Sequence, residues 1–84
     1  MKTIINSVSF ATSIDKEELK SDPSISEIKE IESKINMTEN FNKCKISHFG
    51  YFIYCEVSTD NPSLDLNDVN ELFKNHFDRF LIRN

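Results

Sequence analysis

The amino-acid sequence predicts an α+β fold: a two-layer sandwich in which two helices cover one face of a three-stranded, mainly antiparallel sheet. Two segments repeat their apolar residues at helical spacing, and three others alternate apolar and polar residues as strands do. The predicted order is strand, helix, strand, strand, helix, which is typical of a sheet that carries its helices on one side. A chain of 84 residues has room for one hydrophobic core, so residues 1–84 are predicted to form a single domain.

The first predicted strand covers residues 3–12, where Ile4 and Phe10 share one parity and mostly small or polar residues share the other. Such alternation indicates a strand that is buried on one face. Asp15 follows the strand, and together with Glu18 it forms a capping pair for a short helical turn.

Both predicted helices begin next to polar residues that can bond the free N–H groups of a first turn. Ser24 and Glu27 cap the first helix, at residues 25–36, and Asp65 caps the second, at residues 66–82. The apolar stripes are Ile25, Ile28, Ile31 and Ile35 in the first helix and Leu66, Val69, Phe73, Phe77 and Phe80 in the second. The second pattern is the stronger, and this helix is predicted to be the main core element.

Apolar and more polar residues alternate over residues 43–58, on both sides of Gly50, which is the only glycine in the chain. This pattern predicts a β-hairpin centred on Phe49 and Gly50, because glycine accepts the positive φ of a tight turn. The predicted cross-strand pairs are His48 with Tyr51, Ile46 with Ile53, Cys44 with Cys55, and Lys43 with Glu56. In this register every apolar pair lies on the same face.

The opposite face of the hairpin carries Phe52 and Tyr54. Two large aromatic side chains are unusual together on a sheet face that meets water. Because both helices are predicted on the other side, this face is expected to be uncovered, with Ile5 as a further apolar residue. It is the predicted binding surface for a protein partner or for a second copy of the chain.

Carboxylates are concentrated in one stretch of an acidic chain. The formal net charge is −4, and residues 46–73 contain no Lys or Arg. The acidic residues of this stretch are Glu56, Asp60, Asp65, Asp68 and Glu71. Asp65 and Asp68 have a structural explanation, since acidic side chains stabilise a helix N-terminus; the alternative is an acidic patch for a basic partner. The charge argues against direct binding of nucleic acid, which depends on neutralising phosphates.

The sequence predicts no catalytic residues, no metal site and no cofactor. A single glycine does not allow a glycine-rich phosphate loop, and no spacing suggests a nucleophile with its base. Cys44 and Cys55 face each other within disulfide range in the predicted hairpin, although buried thiols are favoured in a reducing compartment. His48 lies roughly 13 Å along the strand from Cys44, too far to share a metal ion. His76 is predicted at the helix surface or at the edge of the core.

The segment after Met1 lacks the apolar run of a signal peptide, and no segment reaches the length of a membrane span. These features predict a cytoplasmic protein that does not bind membranes.

The order of elements over residues 25–81 resembles the cytoplasmic C-terminal domain of cation diffusion facilitator transporters. The features in common are an isoleucine-striped helix, a strand, Gly50, a strand ending near Val57, Ser63 with Leu64, and a helix with Val69, Leu72 and Phe73. The resemblance implies a homodimer that responds to divalent metal, with Cys44, Cys55, His48 or His76 as ligands between subunits. The chain departs from the family at residues 44–49, where Cys-Lys-Ile-Ser-His-Phe replaces an arginine-rich segment, and in its additional N-terminal strand.

The sequence therefore favours a non-catalytic protein-binding module, an inhibitor, immunity or accessory protein of bacterial or phage origin. Small size, uncovered aromatic residues and an acidic stretch are features of a protein that acts by docking. A basic surface, such as that of a nucleic-acid enzyme, is the predicted target. The predicted partner-binding residues are Phe52, Tyr54, Glu56, Asp60, Asp65, Asp68 and Glu71. The alternative is the homodimeric metal-responsive domain.

Overall fold

The structure of the protein, a computed structural model, describes residues 7–82. Its strands are β1 (Val8–Asp15), β2 (Phe41–Phe49) and β3 (Phe52–Thr59), and its α-helices are α1 (Ile25–Asn36) and α2 (Leu66–His76). One 3-10 turn follows β1 at Lys16–Glu18, and another follows α2 at Asp78–Phe80. The predicted α+β two-layer fold is confirmed.

The sheet is antiparallel, with β3 in the centre and β1 and β2 at its edges. β1 begins opposite the end of β3, where Val8 pairs with Thr59, and it continues until Asp15 pairs with Phe52. The strand predicted at residues 3–12 therefore extends three residues further along the chain, while Ile4 and Ile5 lie outside the described residues. Asp15 ends the strand because its side chain accepts a hydrogen bond from Glu17 N and caps the following turn.

The hairpin turn consists of Gly50 and Tyr51, so the predicted register is wrong by two residues. Gly50 has a φ of 48° and occupies the first of the two turn positions. Glycine is common at this position in two-residue hairpin turns, because the position requires a positive φ. The observed pairs are Phe49 with Phe52, His48 with Ile53, Ser47 with Tyr54, Ile46 with Cys55, and Lys45 with Glu56. A shift by an even number of residues leaves each side chain on the same face. The predicted inner and outer faces are therefore correct within β2 and β3 although the pairing is not, but Tyr51, predicted on the inner face, lies in the turn.

A bulge interrupts β2 between Asn42 and Lys45. Within it Lys43 has a positive φ of 53°. The backbone of Cys44 turns to α1, where the Asn36 side chain accepts its N–H at 2.7 Å and donates to its C=O at 3.2 Å. The bulge thus fixes β2 to α1 through both backbone groups of one residue.

Both helices pack on the same face of the sheet, α1 against β2 and α2 against β1. The core between the layers contains Ile14, Ile28, Ile31, Ile35, Cys44, Ile46, Ile53, Cys55, Val57, Val69, Phe73, Phe77 and Phe80. Ile25 was predicted on the buried stripe of α1 but is 76% exposed, because the stripe begins one turn later at Ile28. Neither helix within residues 7–82 has the length and hydropathy that crossing a bilayer requires.

α2 is shorter than predicted, since it ends at His76 rather than near residue 82. Phe77 leaves the helical conformation, and the 3-10 turn then places the Phe80 ring 6.0 Å from the Phe77 ring. Leu81 forms an isolated β-bridge with Leu19. Helical and 3-10 turns both bring residues three apart to the same side, so the apolar spacing alone did not distinguish them.

Candidate functional site: an aromatic cluster on the outer sheet face

The sheet face opposite α1 and α2 carries four aromatic side chains at its hairpin end. We call Phe49, Tyr51, Phe52 and Tyr54 the aromatic cluster. The ring centroids of Phe49 and Tyr54 lie 5.8 Å apart, those of Phe52 and Tyr54 5.7 Å apart, and those of Tyr51 and Phe52 6.0 Å apart. Such separations are typical of interacting aromatic pairs. The side chains are between 36% and 65% exposed, so the rings contact one another and water at the same time.

Strand parity and turn position bring the cluster together. Phe52 and Tyr54 point outward from β3, and Phe49 is the cross-strand partner of Phe52. Tyr54 has serine neighbours on both sides, Ser13 on β1 and Ser47 on β2. These small side chains do not cover the Tyr54 ring, which therefore stays accessible at the centre of the face.

Carboxylates border the cluster on the β1 side. The Tyr51 hydroxyl donates to Glu17 Oε1 at 3.2 Å, and Tyr51 O accepts from Lys16 N at 2.8 Å. The hydrogen bond to Glu17, followed by its negative charge, raises the pKa of Tyr51. Asp15 lies directly opposite Phe52 in the sheet. Asp15 and Glu17 therefore form an acidic border beside exposed aromatic rings.

Three of the predicted partner-binding residues share this outer face. Phe52 and Tyr54 belong to the cluster, and Glu56 follows one outward position further along β3. Glu56 lies between Lys45 on β2 and Ala11 on β1. The opposite charge of Lys45 stands directly across from it, so this part of the face is less acidic than the border at Glu17.

The other four predicted residues lie elsewhere. Asp60 follows the far end of β3, about 26 Å along the strand from Phe52 at the usual rise per residue, and its carboxylate accepts from the Ser7 hydroxyl. Asp65 and Asp68 form the capping box of α2, with Asp65 N donating to Asp68 Oδ2 at 2.8 Å and Asp68 N donating to Asp65 Oδ1 at 3.1 Å. Glu71 is exposed on α2, in the helix layer. The structure does not bring these carboxylates to the aromatic cluster.

The two cysteines lie inside the molecule. Both are free and buried, with their sulfur atoms 3.8 Å apart although Cys55 pairs with Ile46 in the sheet. The hydrogen bond between the thiols raises the pKa of Cys55 and lowers the pKa of Cys44, while burial raises the pKa of both.

The two histidines lie on different elements. His48 is exposed on β2, and His76 is half-buried at the end of α2, where burial and then the charge of Lys34 lower its pKa. This confirms the prediction for His76. Within residues 7–82, no three His, Cys, Asp or Glu side chains are grouped closely enough to hold a metal ion.

Sequence reasoning missed half of the cluster and its acidic border. Phe49 and Tyr51 were assigned to the turn and the inner face, because the hairpin was centred one residue too early. Gly50 could have indicated the correct turn. In a two-residue hairpin turn with a single residue of positive φ, glycine prefers the first position, which gives a turn of Gly50 and Tyr51. The position of Glu17 beside Tyr51 depends on the pairing of β1 with β3, which no local pattern specifies.

Comparison with protein-family models, with curated proteins and with solved structures found no match to this chain. The resemblance to cation diffusion facilitator domains stays a hypothesis.

Proposed function

We propose that the protein is a non-catalytic protein-binding module, an inhibitor, immunity or accessory protein that docks on a partner through the aromatic cluster. The observation that carries this proposal is the mutual contact of four exposed aromatic rings on an uncovered sheet face. Aromatic side chains supply much of the binding energy of protein interfaces when they become buried.

The size of the chain strengthens this argument. A domain of 84 residues has few apolar side chains to spare, because its core alone must stabilise the fold. Here four of the nine aromatic residues lie outside the core cluster on one small area of surface. Apolar surface concentrated in this way is typical of an interaction site.

The acidic border indicates the chemistry of the partner surface. Asp15 and Glu17 lie beside the rings, and the chain carries a net charge of −4. Arginine or lysine side chains can contact both the faces of aromatic rings and nearby carboxylates. We therefore expect a partner surface that combines apolar and basic residues, as the surface of a nucleic-acid enzyme does.

Affinity capture with matched variants tests the proposal. Wild-type protein, a Phe52→Ser/Tyr54→Ser variant and an Ile25→Ser/Met37→Ser variant are immobilised and exposed to an extract of the cells that make the protein. The control pair is also hydrophobic and is even more exposed, but it lies on α1 and at its C-terminal end. Circular dichroism first establishes that all three proteins are folded.

A partner that binds wild type and the α1 control, but binds the Phe52→Ser/Tyr54→Ser variant at least about tenfold more weakly, supports the proposal. Equal binding to all three proteins contradicts it. Charge reversal then identifies the acidic residues that face the partner. We expect Glu17→Lys to weaken binding and reduce its salt dependence, whereas the same loss from Glu71→Lys alone would assign the contact to α2.

A further inference from the structure

Along the outer edge of β1, backbone groups have no strand partner among residues 7–82. Lys16, the residue directly after β1, donates its N–H to Tyr51 O at 2.8 Å and so continues the ladder between β1 and β3 in register with the even-numbered residues of the strand. Asp15 N points the other way and donates to Glu18 Oε2 at 3.0 Å. Because antiparallel strands alternate in this manner, odd-numbered residues of β1 direct their N–H and C=O groups away from β3. The residues concerned are Ser9, Ala11 and Ser13.

The other edge of the sheet is protected. On β2 the backbone of Cys44 is bonded by the Asn36 side chain, and Ile46 N donates to Glu32 Oε2 at 2.8 Å. The bulge and the charged residues Lys43 and Lys45 further prevent pairing there. Helix side chains, a bulge and lysines are the usual means by which proteins block an edge strand.

None of these devices protects β1 over residues 9–13. This part of the strand contains no charged residue and no proline, and no strand among residues 7–82 pairs with its outer side. Beside it lies a groove of about 450 Å³, which is lined on the α2 side by Asn70, Glu71 and Lys74. The groove gives an added strand access to the free backbone groups.

We propose that a second copy of this chain occupies this edge, with the two β1 strands paired antiparallel about a two-fold axis at Ala11. Opposing residues would then be Ala11 with itself, Ser9 with Ser13, and Phe10 with Thr12. The sequence suits this arrangement, since small uncharged residues meet on the outer face and no like charges oppose each other. Glu71 and Lys74 line the groove with opposite charges, so the two-fold axis brings an acidic and a basic side chain of each copy toward the other; Lys74 also contacts Glu18 Oε1 of its own copy at 3.2 Å.

Pairing of two copies also explains why the β2 edge of the sheet is protected and the β1 edge is not. It produces one six-stranded sheet in which the open β1 edges are joined and only the protected β2 edges remain outside. The two aromatic clusters come to lie on the same face of that sheet. The dimer does not depend on the proposed docking function, because it uses the edge of β1 and not the aromatic cluster.

Two variants at the same positions test the arrangement by sedimentation equilibrium. Ser9→Lys/Ser13→Lys places lysine opposite lysine in both cross-copy pairs, whereas Ser9→Glu/Ser13→Lys places glutamate opposite lysine. We expect wild type to sediment as two 9.8 kDa chains. The dimer of the first variant should dissociate at least about tenfold more readily than that of the second. A monomeric wild type, or equal dissociation of the two variants, overturns the proposal.

Cysteine cross-linking provides a test that does not depend on charge. In the proposed dimer the two Ala11 Cα atoms are about 5.5 Å apart, within the range that a disulfide spans. Ala11→Cys should therefore form a disulfide-linked dimer under mild oxidation. Ser13→Cys is the control, because each copy's residue 13 lies roughly 13 Å along the strand from its counterpart. Cross-linking of Ser13→Cys but not Ala11→Cys contradicts the register.

Discussion

At the scale of single residues, Glu18 joins two parts of the fold that are distant in the sequence. Its Oε2 accepts from Asp15 N at 3.0 Å, and its Oε1 contacts Lys74 Nζ on α2 at 3.2 Å. The backbone hydrogen bond, more than the lysine, lowers the pKa of Glu18 below its ordinary value of 4.5, although partial burial opposes the shift. The unfolded chain therefore takes up this proton at a higher pH than the folded chain does.

The resulting stability is present above pH 4.5 and is lost as the pH falls through the folded-state pKa of Glu18. We expect Glu18→Gln to cost less than about 1 kcal/mol at pH 7, because glutamine keeps the capping contact and the ion pair is exposed. The variant should also lose less stability than wild type on acidification. Urea unfolding at pH 7 and below pH 4.5 measures both effects. Glu30→Gln, which removes a carboxylate from an exposed ion pair with Lys34, is the control for the loss of one surface charge.

The cysteine pair leads to a second prediction at this scale. Cys44 and Cys55 are both buried, so a reagent in solution cannot reach either thiol in the folded protein. We expect both to react with a thiol reagent at the rate of unfolding, and at once in denaturant. Rapid reaction of either cysteine in the folded protein would contradict the buried thiol pair.

The capping pairs were the residue-scale features best predicted by the sequence. Asp15 with Glu18, Ser24 with Glu27 and Asp65 with Asp68 all form capping boxes. Each depends on two residues three positions apart, so the local sequence contains the whole interaction. Asn36, which bonds the Cys44 backbone, could not be identified because its partner belongs to another element.

At the scale of elements, the hairpin turn depends on Gly50. Its φ of 48° is strained for other residues, while a Cβ added there would meet nothing within 4 Å. We expect Gly50→Ala to destabilise the protein by about 1–2 kcal/mol from backbone strain alone. Gly50→Asn should cost less, because asparagine tolerates this conformation better. Urea unfolding of both variants measures the difference, and an equal loss would indicate a different turn geometry.

The contact between α1 and the bulge of β2 is the second element-scale test. Asn36→Ala removes two hydrogen bonds to the Cys44 backbone, and we expect a loss of about 1–2 kcal/mol in unfolding free energy. Ser33→Ala, on an exposed position of the same helix, serves as the control for helix propensity. If both variants unfold at the same urea concentration, the bulge does not depend on Asn36.

The type and order of the elements followed from the sequence, whereas several boundaries and the register did not. Periodicity identified α1 and the inner faces of β2 and β3 because these features repeat locally. The end of α2 at His76 was missed since a 3-10 turn preserves the apolar spacing. The hairpin pairing was missed because a shift by two residues satisfies the same alternation.

At the scale of the whole molecule, the two layers separate two groups of predicted site residues. Phe52, Tyr54 and Glu56 lie on the outer sheet face, and strand parity alone predicted this. Asp65, Asp68 and Glu71 lie in the helix layer. The sequence could not predict this separation, because the position of an acidic residue in the chain does not give its distance from the aromatic rings. We therefore expect the partner to dock on the aromatic cluster and its border at Glu17.

The most direct test of that assignment is site-specific photo-crosslinking in the cells that make the protein. Benzoylphenylalanine replaces Tyr54 on the outer face in one sample and Met37, which is 85% exposed at the end of α1, in another. We predict a cross-linked adduct with one partner protein from position 54 and none with that protein from position 37. An adduct from position 37 without one from position 54 would contradict docking through the aromatic cluster.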